Sequence, residues 1–96
     1  MSEAWTAAQI NAELSALPEL SSWTFSEGRL RRSLTCEDFR AAFAFMTRVA
    51  AVAEEQGHHP DWTNVYSRVS IALWTHDAGG ITEQDFRLAR GIEACR

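Results

Sequence analysis

Three histidines carry the chemical interest of this 96-residue chain: the adjacent pair His58-His59, followed by Pro60, and His76. Histidine is the side chain whose ordinary titration falls near neutrality, so it trades protons readily at physiological pH. Carboxylates flank the set in sequence, Glu54 ahead of the pair and Asp85 beyond His76. Such a group can give and take protons in general acid–base chemistry. The same residues are also ligand types for zinc or iron, with His58, His59, His76 and Asp85 or Asp77 as candidates. Two consecutive ligands are hard to aim at one ion, however, and the chain has no His-x-x-x-His pair, so no metal is expected. Cys36 and Cys95 lie far from this stretch in sequence and form no C-x-x-C pair. Free thiols of a reducing compartment, rather than a nucleophile or a disulfide, are the simpler reading.

Side chains that share proton chemistry must be delivered to one place by separate segments. The segment before the histidine pair reads as a long helix opened by Thr35-Cys36-Glu37-Asp38, with Thr35 as its cap. Phe39, Phe43, Met46, Val49, Ala50 and Ala53 recur on one face at helical spacing, and Arg40, Arg48 and Glu55 are expected toward solvent. Small Ala50 and Ala53 would let the end of this helix approach a neighbour closely. Gly57 is placed to end it in a left-handed conformation, so Glu54 leads directly into the histidines. Residues 62–66 then read as a strand, Ser67-Arg68 as a turn, and residues 69–75 as the partner strand, whose apolar and polar residues alternate with a period of two. Pairing of these strands would set His58, His59 and His76 together at the open end of a hairpin. Asp77-Ala78-Gly79-Gly80 breaks the pattern. Thr82-Glu83-Gln84-Asp85 opens a last helix with Phe86, Ala89 and Ile92 inward, which brings Asp85 toward the same end.

The earlier chain is similar in plan. Residues 6–17 read as a first helix, capped by Thr6, with Ile10, Leu14 and Leu17 on one face and Pro18 at its end. Residues 23–34 read as a hairpin turning at Glu27-Gly28. The order is therefore α-ββα-ββα, two similar units in succession. The expected fold class is α+β: a single four-stranded antiparallel sheet with three helices packed on one face. One domain over residues 1–96 suits the length. The other sheet face and at least one edge would remain open to self-association.

Composition narrows the function classes. Apolar residues make up 46% and charged residues 23%, as in an ordinary globular domain. A net charge of −4 argues against nucleic acid, which needs a basic face. The short cluster Arg29, Arg31, Arg32 reads as a solvated strand face. No apolar run approaches the ~18 residues of a membrane span. Polar Ser2-Glu3 after Met1 gives no leader-like pattern, so a cytoplasmic protein without membrane partners is expected.

Taken together, Glu54-x-x-x-His58-His59-Pro60, Tyr66, His76 and Asp85 resemble the signature of the pterin-4a-carbinolamine dehydratases. This family includes the dimerisation cofactor of a hepatocyte transcription factor. Phe45-Met46-Thr47-Arg48-Val49-Ala50, His59-Pro60-Asp61-Trp62, Asn64-Val65-Tyr66 and Thr75-His76 agree with it, and the likeness runs over residues 38–92. The resemblance implies a saddle-like sheet, a homodimer or homotetramer, and a pterin substrate. The implied reaction dehydrates 4a-hydroxytetrahydrobiopterin to quinonoid dihydropterin, which supports tetrahydrobiopterin recycling and uses no redox step, cofactor or metal. By position it implies His58, His59, His76 and Asp85 as catalytic residues, with Asp85 biasing His76. Glu54 and Trp62 match substrate-binding positions of the pocket. Where several animal members carry Asp before the first histidine, this chain has Gly57. The alternative is a non-catalytic assembly or regulatory module of the same fold, which would have no need of all three histidines.

Overall fold

Two tight turns and three capped helices account for the architecture of the computed structural model, which describes residues 3–96. The expectation about a leader rests on Met1 and Ser2, which lie outside the described residues. Helix α1 (Ala7–Ala16) opens with a capping box: the Thr6 hydroxyl accepts from the Gln9 amide, and the Gln9 side chain accepts from the Thr6 amide. Ile10 is buried, and Leu14 and Leu17 pack partly buried against the core. Pro18 begins a 3-10 turn, Pro18–Leu20, where its missing N–H costs nothing.

Strands β1 (Thr24–Ser26) and β2 (Arg29–Thr35) are joined by Glu27-Gly28. Both turn residues have positive φ, +52° and +76°, which suits the twist of a two-residue hairpin. Strands β3 (Asp61–Val65) and β4 (Arg68–Leu73) turn at Tyr66-Ser67, one residue earlier than the expected Ser67-Arg68. The Asn64 amide explains the shift. It donates to the carbonyls of Tyr66 and Arg68 at 3.0 Å each, holding Tyr66 at φ +52° without a glycine. The two hairpins join antiparallel through β2 and β4, from Leu30↔Leu73 to Thr35↔Arg68, giving the order β1-β2-β4-β3. The result is the expected α+β arrangement, one four-stranded antiparallel sheet with the helices on one face. Leu30, Val69, Ile71 and Leu73 point into the core beneath them. Strand β4 ends at Leu73, and Thr75 instead makes an isolated bridge to Gly80.

Helix α2 (Phe39–Gln56) starts at Asp38 rather than Thr35. Thr35 is held in the β2 ladder opposite Arg68, so Asp38 caps in its place, its Oδ1 accepting from the Ala41 amide at 2.8 Å. The buried stripe also differs from expectation. Ala42, Phe45, Val49 and Ala53 face the core, while Phe39, Phe43 and Ala50 face outward. Two stripes with 3,4 spacing interleave in this helix, and the one with smaller residues at its ends packs against the fold. Outside, the Phe39 and Phe43 rings lie 5.8 Å apart. Close approach between helices comes from Gly91 of α3 (Glu83–Ala94), where a Cβ would stand only 2.8 Å from Val52 Cγ1. The same end of α3 is closed by Arg48, whose Nε donates to the Cys95 carbonyl at 2.8 Å. Cys36 and Cys95 are free. Burial pushes the Cys95 thiol above its ordinary value, opposed by the nearby Arg48 charge.

The arginine cluster is not a uniformly solvated face. Arg32 shares the phase of Leu30 and Leu34, which turns it toward the helices. Its Nε donates to Glu93 Oε2 at 2.9 Å, and Trp23 Nε1 donates to the same oxygen at 2.9 Å. Arg32 and Glu93 are each 10% exposed. Arg31 donates to the Ser26 carbonyl, and the Arg29 guanidinium lies 3.9 Å from the centre of the Trp74 ring.

Burial alone would raise the Glu93 carboxyl. The hydrogen bonds from Arg32, Trp23 and Arg96, with the Arg32 charge, outweigh it and hold the group below its ordinary 4.5. A depressed folded-state value stabilises the fold above the unfolded pKa, and that stability is lost as pH falls through the folded one. Glu93→Gln is therefore expected to cost about 1–3 kcal/mol in urea unfolding at pH 7, the penalty for donors left poorly paired. The gap from wild type should shrink as the pH is taken below about 4.5.

Candidate active site

The end of α2 delivers the first histidine. Gly57 takes the left-handed conformation, φ +65°, and its amide donates to the Glu54 carbonyl at 3.2 Å. The His58 amide donates to the Ala53 carbonyl at 3.1 Å, completing a Schellman closure that turns the chain sharply off the helix. Only a residue without a Cβ adopts this φ at no steric cost. The backbone of His58 is thereby fixed to the helix end.

The start of α3 delivers the acid. The Thr82 hydroxyl accepts from the Gln84 amide, and the Thr82 amide donates to Asp85 Oδ2 at 2.9 Å. Asp85 is wholly buried. Its Oδ2 also accepts from the Thr75 hydroxyl at 2.7 Å, and its Oδ1 is 2.7 Å from His58 Nε2. The His58 side chain is 12% exposed, so this is an interior contact with one accessible flank. Thr75 comes from just beyond β4. Its amide donates to the Gly80 carbonyl at 2.8 Å, and the amides of Ala78 and Gly79 return to its own carbonyl. His76 opens the 3-10 turn so formed, His76–Ala78.

The other expected residues are placed differently. His59 Nε2 lies 2.7 Å from Glu54 Oε1, and both side chains are in solvent, 63% and 78% exposed. His76 is exposed and rests near Trp74, ring centres 5.4 Å apart, with Arg29 on the same indole. Trp62 pairs with Ile71 across β3 and β4 and packs half-buried against the core. Asp85 therefore holds His58 and not His76, because the capping geometry of α3 aims its carboxylate inward. A trough of about 530 Å³ over the sheet, lined by Arg31, Ser33, Asp61, Thr63 and Ser70 among others, is bordered by Trp62 but by none of the histidines. Among the described residues, no three His, Cys, Asp or Glu side chains converge as a metal cage.

Sequence reasoning missed Thr75 as a member of this constellation. A signal was present. Thr75 falls in phase with Val69, Ile71 and Leu73, the inward set, and a hydroxyl carried inward must find a partner. Thr82 was legible as a helix cap but not as a partner of Thr75, whose Oγ1 lies 2.8 Å from its own.

Chemically, the arrangement offers one histidine held by a buried carboxylate, a second paired to an exposed one, and a third against an indole. It can hold, give and accept protons without further groups. Comparison with known proteins agrees in fold and extent. Residues 3–95 match the family model described as pterin 4 alpha carbinolamine dehydratase. A protein of Rhizorhabdus wittichii, named as a proposed pterin-4-alpha-carbinolamine dehydratase, is 54% identical over 81 residues, covering 82% of this chain and 84% of that one. One of Solibacter usitatus with the same name is 54% identical over 80 residues, covering 83% and 84%. The crystal structure of a transcriptional coactivator/pterin dehydratase from Brucella melitensis superposes with a TM-score of 0.87 at 39% identity, covering 97% of this chain and 98% of that one. With a capped helix on either side of a histidine–carboxylate pair and a family match over nearly all its length, this chain belongs to the pterin 4 alpha carbinolamine dehydratase family.

Proposed function

We propose that this protein is a dehydratase that converts 4a-hydroxytetrahydrobiopterin to quinonoid dihydropterin and water, in support of tetrahydrobiopterin recycling. The observation that carries the reading is the His58–Asp85 contact, a buried carboxylate held against a histidine with an open flank. In the reaction, N5 of the pterin pushes its lone pair toward C4a as the C4a–O bond breaks. The departing hydroxide takes a proton from a general acid and leaves as water. A base takes one ring N–H proton, so substrate equals product plus water and no electrons are exchanged.

His58 or His76 serves as the acid at the 4a-hydroxyl. His59 binds the ring or serves as the base, with Glu54 Oε1 2.7 Å from its Nε2. Trp62 and Glu54 belong to the pocket surroundings. No cofactor or metal is required by this chemistry. Residues 1–96 act as one domain, in a homodimer or homotetramer. Two free, partly buried thiols suit a reducing, cytoplasmic setting, and no described helix is long and apolar enough to cross a membrane. The outward Phe39 and Phe43 of α2 favour, as a second reading, a protein-assembly role alongside catalysis. A pure assembly module would have no use for a buried His58–Asp85 pair.

Stopped-flow absorbance of freshly generated 4a-hydroxytetrahydropterin tests the reaction. Wild type is expected to accelerate its decay over buffer, and His59→Ala and His76→Ala to lose most of that acceleration while remaining folded by circular dichroism. Unchanged turnover in both variants would remove these residues from the site. Asp85→Asn keeps an acceptor for Thr75 and the Thr82 amide but presents an amide to His58. Its turnover is expected to fall by roughly 10²–10⁴, the range of general acid–base assistance.

A further inference from the structure

We propose that Thr75 is a positioning residue whose hydroxyl, itself oriented by Thr82, fixes the Asp85 carboxylate so that His58 keeps its proton on Nε2 and works through Nδ1. The catalytic use of that nitrogen rests on the dehydratase reading. The assignment follows from counting protons. An ionised carboxylate only accepts, so the 2.7 Å contact between Asp85 Oδ1 and His58 Nε2 carries the histidine's proton. Thr75 spends its single O–H on Asp85 Oδ2 at 2.7 Å. The 2.8 Å contact between the Thr75 and Thr82 hydroxyls must therefore carry the proton of Thr82. Thr82 Oγ1 is in turn occupied as an acceptor from the Gln84 amide, which orients its own O–H. The chain of bonds is directional, from Thr82 to Thr75 to Asp85, met from the other side by His58.

Three features make this a device for one tautomer rather than general packing. Both threonines and the carboxylate are removed from water, Thr82 and Asp85 wholly and Thr75 to 9% exposure, so no solvent competes for the bonds between them. Oδ2 is saturated by Thr75 and by the Thr82 amide, which leaves Oδ1 as the oxygen for His58. Among the described residues, His58 Nδ1 makes no protein hydrogen bond and is not among the buried atoms left without one. It is the ring atom open to the accessible flank. During turnover His58 either donates from Nδ1 as an imidazolium to the leaving hydroxyl or accepts the ring N–H proton there. In both cases the other proton stays on Nε2, hydrogen-bonded to Asp85 Oδ1.

The test reads the tautomer and turnover separately. Long-range proton–nitrogen correlation spectra of the 15N-labelled protein, with His58 assigned by its loss in His58→Gln, are expected to show neutral wild-type His58 protonated at Nε2 and bare at Nδ1. Thr75→Val, which fills the same space without the hydroxyl, is expected to give a mixture of tautomers. It should lower kcat about 10-fold while KM stays within about 2-fold, a modest share of general acid–base assistance. Thr75→Ser should restore both the spectrum and kcat. A wild-type proton on Nδ1, an unchanged spectrum in Thr75→Val, or failure of Thr75→Ser to rescue would overturn the proposal. If the spectra behave as expected but wild type does not accelerate carbinolamine decay, the dehydratase reading falls and the catalytic use of Nδ1 with it, while the positioning of the imidazole stands.

Discussion

A carboxylate with no access to water governs the functional end of this molecule. Burying the charge of Asp85 would be prohibitive without partners. It accepts from the Thr75 hydroxyl and the Thr82 amide, and its free oxygen meets His58. Hydrogen bonds to a charged acceptor are roughly twice as strong as neutral ones, so the burial is offset only when all of them form. The donors come from the exit of β4, the N-cap of α3 and the second residue after α2. Three separate segments are thus required to be in place by one side chain.

Helix α3 is what transmits this requirement to the rest of the fold. Its first turn carries Asp85, and its last carries Glu93, bonded to Arg32 of β2 and to Trp23. Eight residues at 1.5 Å each set about 12 Å of helix between a buried acidic group and a half-buried one. Its apolar face of Phe86, Leu88, Ala89 and Ile92 fills the core between them. The helix is fixed along its length by packing and at both ends by charge, which leaves little freedom for the site to drift relative to the sheet.

Much of this was legible in the sequence because local rules agree with the final structure. The Glu27-Gly28 turn, the Thr6 and Thr82 caps, the Gly57 stop and the period-two strand around Val69 each depend on neighbours within a few residues. The departures occur where distant contacts chose between locally equivalent options. Thr35 has a good capping side chain, but Arg68 on β4 keeps it in a ladder and gives the cap to Asp38. Helix α2 has two apolar stripes, and only packing decided that Phe45 is buried and Phe43 is not. At the site, the gathering of His58 and Asp85 at one end of the hairpin was readable from spacing, while the pairing of Asp85 with His58 rather than His76 was not. That choice depends on where a capping carboxylate aims its second oxygen, a detail of three dimensions.

The strand order has a consequence for how the protein comes to exist. Each hairpin closes over a two-residue turn, so both can form within local stretches of chain. Their junction, β2 on β4, matches Leu30 with Leu73 and is far more distant in sequence. Closing long loops is entropically costly and slows folding, so this junction is the natural late event. The anchors of α3 straddle it, with Arg32 on one side and Thr75 on the other. A chain with only its hairpins formed would have neither end of α3 secured. The His58–Asp85 contact would then appear only in molecules that have completed their most non-local step, so its formation reports on the whole fold rather than on any part of it.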